Sequence, residues 1–326
     1  MTHPTRGAES LALGSGPEFD RIRKIIQELG ARGAGLGDDC GLIPTADGSL
    51  ALSTDVSVEG VHFRLDWIGF PDVGWRATAA ALSDLAAEGA SPLGVLCAVT
   101  MPAHAAESQL IDVMSGAGAA AASVGAPVLG GDLSSGRGWS VAVTVIGRAP
   151  RPVTRAGSQP GDHLWVTGTL GGSRAALEAW RRGEPPDPES LKRYAHPEPR
   201  ITAGRWLAEH GARAMIDLSD GLAGDARHLA AASAVAIDVE LNALPLDAGV
   251  CREAGRLGVP AAQFAAEGGE DFELLTTLPS SFDGAADFSR ECGIPLTRIG
   301  TVRAGSDVRF LHDGVTLILQ GFSHFG

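Results

Sequence analysis

A turn-rich segment near the middle of the sequence constrains the fold more than any other feature. Residues 148–161 read Arg-Ala-Pro-Arg-Pro-Val-Thr-Arg-Ala-Gly-Ser-Gln-Pro-Gly, and this density of proline, glycine and serine is typical of a connection between domains. The chain has 326 residues, which exceeds the usual size of one hydrophobic core. We therefore predict two domains, at residues 18–149 and 150–326, and a flexible leader at residues 1–17.

Apolar periodicity predicts strands and helices in both halves of the chain. In the first half we expect strands at 49–53, 93–100, 126–129 and 139–147, and helices at 19–29, 72–88 and 105–124. In the second half we expect strands at 163–167, 214–218, 297–302, 308–312 and 315–319, and helices at 174–182 and from the turn after 218 to 232. The proline-rich residues 184–198 are interpreted as a surface excursion.

The charge of the chain argues against a nucleic-acid-binding protein. The formal net charge is −13, whereas nucleic-acid binding depends on neutralising backbone phosphates. The four cysteines form no C-x-x-C pair, so they suggest neither a zinc site nor a disulfide framework, and a reducing, cytoplasmic setting fits. The first residues lack the pattern of a signal peptide, and no apolar run has the length of a membrane span.

Ser53, Thr54 and Asp55 lie at the end of the apolar alternation of residues 49–53, where we expect a strand to end. Two hydroxyls and a carboxylate are oxygen ligands of the kind that Mg²⁺ prefers, and Mg²⁺ commonly bridges a carboxylate to substrate phosphates. The alternative is a hydroxyl or carboxylate turn that only closes the strand.

Further acids occur at glycine turns, at strand ends or within an apolar helix. They are Asp39, Asp84, Asp132, Asp217 and Asp220. Each alone could be a solvated turn or lie on the wet face of a helix, but surface charge is not expected to concentrate at such positions. No G-x-x-x-x-G-K-[ST] motif is present, so an ATP-using enzyme with this sequence would rely on Mg²⁺ and arginine.

Nine motifs in order along the chain resemble those of the thiamine-monophosphate kinase family. They are Gly37-Asp-Asp-Cys, Ser53-Thr-Asp, Glu59-Gly-Val-His-Phe, Leu82-Ser-Asp-Leu-Ala-Ala, Gly130-Gly-Asp, Thr154-Arg-Ala-Gly-Ser-Gln-Pro-Gly-Asp, Val166-Thr-Gly-Thr-Leu-Gly, Ile216-Asp-Leu-Ser-Asp-Gly-Leu and Gly268-Gly-Glu-Asp-Phe-Glu-Leu. The resemblance implies the two-domain α/β fold of the wider aminoimidazole ribonucleotide synthetase-like superfamily. In that fold the N-terminal sheets of a homodimer form a barrel, and each C-terminal α/β domain packs alongside.

The same resemblance implies an ATP-dependent phosphorylation of thiamine monophosphate to thiamine diphosphate, with several Mg²⁺ ions and direct in-line transfer. The implied metal ligands are Asp39, Ser53, Thr54, Asp55, Asp84, Asp132, Asp217 and Asp220. The implied catalytic residues are Asp55, Asp84, Asp217 and Arg155. ATP would contact Gly131, Asp132, Arg155 and Ser219, and the acceptor would contact His62, Glu270 and Phe322.

Two other functions fit parts of the sequence. One is another ATP-dependent member of the superfamily. However, no N-terminal reactive cysteine precedes a glycine-rich lysine segment as in selenophosphate synthetase, and the sequence ends in Phe-Gly and not in cysteine as in the hydrogenase maturation factor HypE. The other is a catalytically silent binder of nucleotide or thiamine. The many acids weigh against a binder, because clustered carboxylates are costly to keep together.

Overall fold

The structure is a computed structural model that describes residues 10–14, 16–33 and 35–322. Most of the predicted leader, residues 1–9 and 15, lies outside the described residues. Within residues 10–14, the backbone N–H of Leu11 donates to the carbonyl of Leu36 at 3.0 Å, and that of Gly14 donates to Nδ1 of His228 at 3.1 Å. None of the helices in these ranges combines the length and apolar character that a membrane crossing would need.

The N-terminal half is a five-stranded sheet with helices on one face. After helix α1 (Pro17–Leu29), the chain forms β1 (Gly41–Thr45), β2 (Gly48–Val58), α2 (Phe70–Ala87), β3 (Ser91–Pro102), α3 (Glu107–Ser123), β4 (Val128–Gly136) and β5 (Ser140–Ala149). The strand order is β1-β2-β5-β3-β4, and only β3 and β4 pair in parallel. The predicted helices and strands of this half are present, but β2 and β4 continue well beyond their predicted ends, and β1 was missed.

Two motifs that we expected at strand ends lie inside strands. Ser53, Thr54 and Asp55 occupy the middle of β2, which continues to Val58. Gly130-Gly131-Asp132 lies within β4, which continues to Gly136. The interpretation of the polar residues as strand ends was wrong because neighbouring strands supply the backbone hydrogen bonds that continue the ladder.

The C-terminal half is a seven-stranded sheet packed against several helices. Its elements are β6 (His163–Thr167), α4 (Gly172–Arg181), α5 (Pro188–Ala195), α6 (Ile201–Glu209), β7 (Ala214–Asp217), α7 (Leu222–Ser233), β8 (Ala236–Glu240), α8 (Val250–Leu257), α9 (Ala261–Ala266), β9 (Leu274–Leu278), α10 (Ala285–Cys292), β10 (Leu296–Arg303), β11 (Val308–His312) and β12 (Val315–Leu317). The strand order is β12-β11-β8-β10-β6-β9-β7.

The proline-rich residues 184–198 are not simply a surface excursion. Asp187 begins α5 by accepting a hydrogen bond from the backbone N–H of Ser190, and Pro188 occupies a position in the first turn that needs no N–H donor. Tyr194 on this helix is 2% exposed. The prediction was wrong because tertiary packing against α2 and α4 covers one side of α5.

Helix α2 joins the two halves of the molecule. It packs on the N-terminal sheet and α3, and it also contacts α5, α6 and β7 of the C-terminal half. Glycines allow these close approaches: a Cβ at Gly204 of α6 would lie 1.9 Å from the carbonyl oxygen of Ala86, and one at Gly116 of α3 would lie 1.8 Å from that of Pro71. One apolar core therefore extends from the N-terminal sheet into the C-terminal half.

Two glycines of α3 provide a matched test of this packing. We expect Gly116→Ala to lower the free energy of unfolding by about 1–3 kcal/mol, because the added methyl overlaps the backbone at Pro71. Gly118→Ala should raise it by about 0.5–1 kcal/mol, because a Cβ there meets no atom within 4 Å and alanine favours the helix. Chemical denaturation of both variants measures the difference, and equal effects would contradict the predicted close approach.

Candidate active site

Three aspartates from distant parts of the chain meet in one cleft. Asp39 precedes β1, Asp84 lies on α2, and Asp217 ends β7. One carboxylate oxygen from each lies within 4.8 Å of the others. The sequence predicted all three as metal ligands, and the packing of α2 between the two sheets brings them together.

Strand β2 adds Ser53 and Asp55 beside this cluster. The hydroxyl of Ser53 donates a hydrogen bond to the carboxylate of Asp84. Burial and the carboxylate of Asp39 raise the pKa of Asp55 above its usual value. Thr54 lies between them, so its side chain points to the opposite face of the strand. There its hydroxyl lies 2.9 Å from the hydroxyl of Thr144.

Arg155 provides the positive charge paired with Asp39. Its Nη2 donates to Oδ1 of Asp39 at 2.6 Å and its Nε donates to Oδ2 at 3.2 Å. The neighbouring Asp38 accepts hydrogen bonds at 3.1 Å from the backbone N–H groups of Arg155 and Asp39. The segment that follows β5 and contains Arg155 is therefore hydrogen-bonded to the loop that carries Asp39.

The residues of the cluster fit a divalent cation. Burial, followed by the charges of Asp55, Asp217 and Asp39, raises the pKa of Asp84 well above its usual value. Burial and Asp39 raise the pKa of Asp217 to about 8. Among the described residues, Arg155 is the only cation in a salt bridge with these acids. Closely spaced, buried or partly buried carboxylates with so little compensating charge form an oxygen donor set suited to Mg²⁺.

The turn after β7 adds Ser219 and Asp220 to the cleft. Both line the same cavity as the acid cluster, whose volume is about 1110 Å³. The carbonyl oxygen of Ser219 accepts from the backbone N–H of Glu270 at 2.7 Å, and that of Asp220 accepts from the N–H of Phe322 at 2.9 Å. This turn is therefore hydrogen-bonded to Glu270 and Phe322, two residues that the family resemblance predicts to contact the acceptor.

His62, Glu270 and Phe322 lie along the same cavity. Nδ1 of His62 accepts a hydrogen bond from the backbone N–H of Val58 at 3.1 Å. Glu270 has a φ of 63°, a left-handed conformation that is uncommon for a residue other than glycine. Its carboxylate forms an ion pair with Arg76. The three predicted acceptor residues thus share one cleft with the acid cluster.

Gly131 and Asp132 do not line this cleft. In the sheet, Asp132 pairs with Ala98, Ala98 with Ala142, and Ala142 with Val56. Asp132 is thus in the row of Val56, on the face of the sheet opposite Asp55, and it is three strands away, about 14 Å at ordinary strand spacing. Within one chain, β4 does not deliver its predicted ligand to the cluster.

Sequence reasoning missed three residues that support the site, Asp38, Arg76 and Tyr194. Arg76 carried the same signal as Asp84, since both are charged residues on the apolar helix α2. Asp38 carried a weaker signal as the first of two adjacent acids in a glycine-rich loop. Tyr194 had no signal, because its role depends on how α5 packs.

The fold and the acidic cleft define a two-part α/β protein of the AIR synthase related class. The family described as AIR synthase related protein, N-terminal domain, matches residues 37–149, and AIR synthase related protein, C-terminal domain, matches residues 159–313. Within this class, the chain belongs to the thiamine-monophosphate kinase family. The thiamine-monophosphate kinase of Escherichia coli strain K12 is 36% identical over 327 residues, covering 94% of this chain and 95% of the relative.

Solved structures agree with this family. The structure described as AaThiL complexed with AMPPCP and TMP superposes with a TM-score of 0.85 at 32% identity, covering 94% of this chain and 97% of that one. The thiamine-monophosphate kinase of Stenotrophomonas maltophilia K279a has a TM-score of 0.76 at 34% identity, covering 94% and 99% of the two chains. The predicted family and two-domain fold are therefore confirmed.

The electrostatics of the cluster predict that stabilisation by Mg²⁺ depends on pH. The pKa of Asp217 is about 8 when folded, against an ordinary value of 3.8, so between these pH values the folded protein keeps a proton that the unfolded chain loses. The free energy of unfolding of the metal-free protein therefore falls as pH rises through this window. Since Mg²⁺ requires ionised carboxylates, it should raise the melting temperature more at about pH 8 than at about pH 6.

Thermal unfolding with Mg²⁺ and a non-hydrolysable ATP analogue measures this effect. Asp217→Asn is the matched control: because an amide cannot ionise, the pH dependence should become weaker, and Asp84 is left as a group whose pKa is raised. Equal melting-temperature gains at both pH values in the unmodified protein would contradict the prediction.

Proposed function

We propose that this protein transfers the γ-phosphoryl group of ATP to the phosphate of thiamine monophosphate, giving thiamine diphosphate and ADP. The observation that carries the proposal is the single cleft that has the acid cluster and Arg155 at one end and His62 and Glu270 at the other. The solved relative described as complexed with AMPPCP and TMP supports the same pair of substrates. A cation-binding end beside an acceptor end is what a transfer between two anions requires.

In the proposed reaction, an oxygen of the acceptor phosphate attacks the γ-phosphorus and the bond to the β,γ-bridging oxygen breaks. The acceptor oxygen is already anionic near neutral pH, so no strong general base is needed. Repulsion between the two anions is the main obstacle to their approach. Mg²⁺ ions would supply charge neutralisation and alignment when bound.

The residues of the chain would have distinct tasks in this reaction. Asp39, Asp84, Asp217 and Asp55 would hold Mg²⁺, with Ser53 and Asp220 as further oxygen donors, whereas the hydroxyl of Thr54 faces the other side of β2 and is not proposed as a ligand. Arg155 and Ser219 would contact ATP, and Arg155 already orients Asp39 through two hydrogen bonds. His62, Glu270 and Phe322 would bind the thiamine end, where a carboxylate suits a cationic or amine-bearing ring. Holding the acceptor oxygen close to the γ-phosphorus and in line with the breaking bond speeds phosphoryl transfer.

We further propose that a homodimer completes each site. Among the described residues, the second half of β2, residues 53–58, pairs with β5 alone, because β1 covers only residues 48–52. Strand β4 pairs only with β3 in the described chain, and its Leu129 and Leu133 are 57% and 62% exposed. Two open edges and exposed apolar side chains favour pairing of β4 with β2 of a second copy. That pairing would bring Gly131 and Asp132 of one protomer beside β2 of the other, the strand that carries Asp55.

Acceptor choice tests the reaction. Thiamine lacks the phosphate that supplies the attacking oxygen and a metal ligand, so its kcat/KM should be at least about a hundredfold lower than that of thiamine monophosphate. His62→Ala and Glu270→Ala should raise the KM for thiamine monophosphate about tenfold and leave the KM for ATP nearly unchanged. ADP release with each acceptor measures both effects. Equal use of thiamine and thiamine monophosphate would refute the mechanism.

Mixed dimers test the shared site. Asp55→Asn and Asp132→Asn homodimers should each lose nearly all activity, because each variant removes a metal ligand. A heterodimer of the two, isolated through different affinity tags, should regain about half of the wild-type activity, since one of its two sites keeps both acids. The control pairs Asp55→Asn with Asp84→Asn, which lie in the same cleft of one chain and cannot complement. Lack of recovery in the first heterodimer would place Asp132 outside the partner's site.

A further inference from the structure

A buried arginine lies behind the acceptor end of the cleft. The side chain of Arg76 is only 3% exposed, although it carries a full charge. It projects from α2, the helix that also carries Asp84 about 12 Å further along its axis. A buried charge needs compensating partners, and these partners identify what the residue does.

The guanidinium of Arg76 joins three segments of the acceptor end. Its Nε donates to the carbonyl oxygen of His62 at 3.3 Å, and its Nη1 donates to the carbonyl oxygen of Tyr194. Its Nη2 forms an ion pair with Oε1 of Glu270. The plane of the guanidinium also lies over the ring of Tyr194, with its central carbon 3.9 Å from the ring centroid.

Tyr194 reinforces the same contact point. Its hydroxyl donates to the carbonyl oxygen of His62 at 3.0 Å, so this one oxygen accepts from both Tyr194 and Arg76. The planar guanidinium of arginine has several N–H donors and can lie over an aromatic ring, so it makes all of these contacts at once. The single ammonium of lysine cannot.

We propose that Arg76 and Tyr194 are positioning residues that hold His62 and Glu270 in the geometry that binds the acceptor. This inference rests on the proposed function and assigns to it two residues that act through His62 and Glu270. Glu270 needs such support, because its left-handed backbone is sustained only by its surroundings. Its carboxylate is 32% exposed and lines the cleft, so the ion pair with Arg76 fixes a group that the acceptor can reach.

The opposing interpretation is that Arg76 only holds the two halves of the molecule together. In that case its loss would lower stability and leave acceptor affinity unchanged. A positioning role predicts a selective rise in the KM for the acceptor, and it predicts that Arg76 acts through Glu270. Residues that act through one another have non-additive effects in a double-mutant cycle.

The experiment compares Arg76→Lys and Tyr194→Phe with the unmodified protein, using thiamine monophosphate and ATP as the varied substrates. We expect Arg76→Lys to raise the KM for thiamine monophosphate about tenfold or more, with the KM for ATP changed less than about twofold. Tyr194→Phe keeps the ring and removes only the hydroxyl, so it should fold normally and raise the same KM about threefold. In a Glu270→Ala background, Arg76→Lys should raise this KM much less than it does alone.

Arg309→Lys is the matched control. Arg309 forms a bidentate pair with Asp238 in the C-terminal sheet and does not line the cleft. Its lysine variant therefore loses a similar two-pronged contact and should leave both KM values unchanged.

The inference is overturned, and the proposed function stands, if the acceptor KM stays unchanged in Arg76→Lys and Tyr194→Phe while the unmodified protein turns over thiamine monophosphate. Fully additive effects of Arg76→Lys and Glu270→Ala would also overturn it. If the unmodified protein neither binds nor phosphorylates thiamine monophosphate, the proposed function fails and this inference fails with it.

Discussion

The mutual repulsion of carboxylates in one half-buried cleft is the constraint on which the rest of the structure depends. Asp39, Asp84 and Asp217 come within 4.8 Å of one another, and burial raises the pKa of Asp84 and of Asp217. Such an arrangement costs stability unless cations compensate it. Because Arg155 pairs directly with Asp39 alone among these three, the remaining negative charge is available to the Mg²⁺ ions that we propose bind here.

Helix α2 keeps the two ends of the cleft in a fixed relation. Asp84 belongs to the acid cluster, and Arg76 contacts the acceptor segments two turns earlier on the same helix. The helix is buried between both halves of the molecule, where close backbone contacts with α3 and α6 leave little room for it to shift. A rigid helix that carries both the proposed metal ligand Asp84 and the proposed positioning residue Arg76 suits a reaction in which two anions must be aligned.

Much of the fold and site could be predicted from the sequence, and the exceptions share a physical cause. The periodicities located α2, α3 and β5 because each buries one face against the core. The misplacement of Ser53 and Asp132 at strand ends arose because polar residues also occur inside strands when neighbouring strands complete the backbone ladder. Helix α5 was missed because its prolines and charges favour a loop locally, and only its packing against α2 and α4 covers Tyr194.

The sequence by itself determined the family, through motifs that resemble those of its members, and it determined most helices and strands of the N-terminal half and a set of acids suited to a metal-dependent phosphoryl transfer, through residue type and local spacing. Only the tertiary structure decided which of those acids meet. It brought Asp39, Asp84 and Asp217 together and left Asp132 three strands away, and it placed Arg76 between His62, Tyr194 and Glu270. The physical reason is that such contacts depend on how elements distant in the chain pack against one another, and no local pattern records that packing.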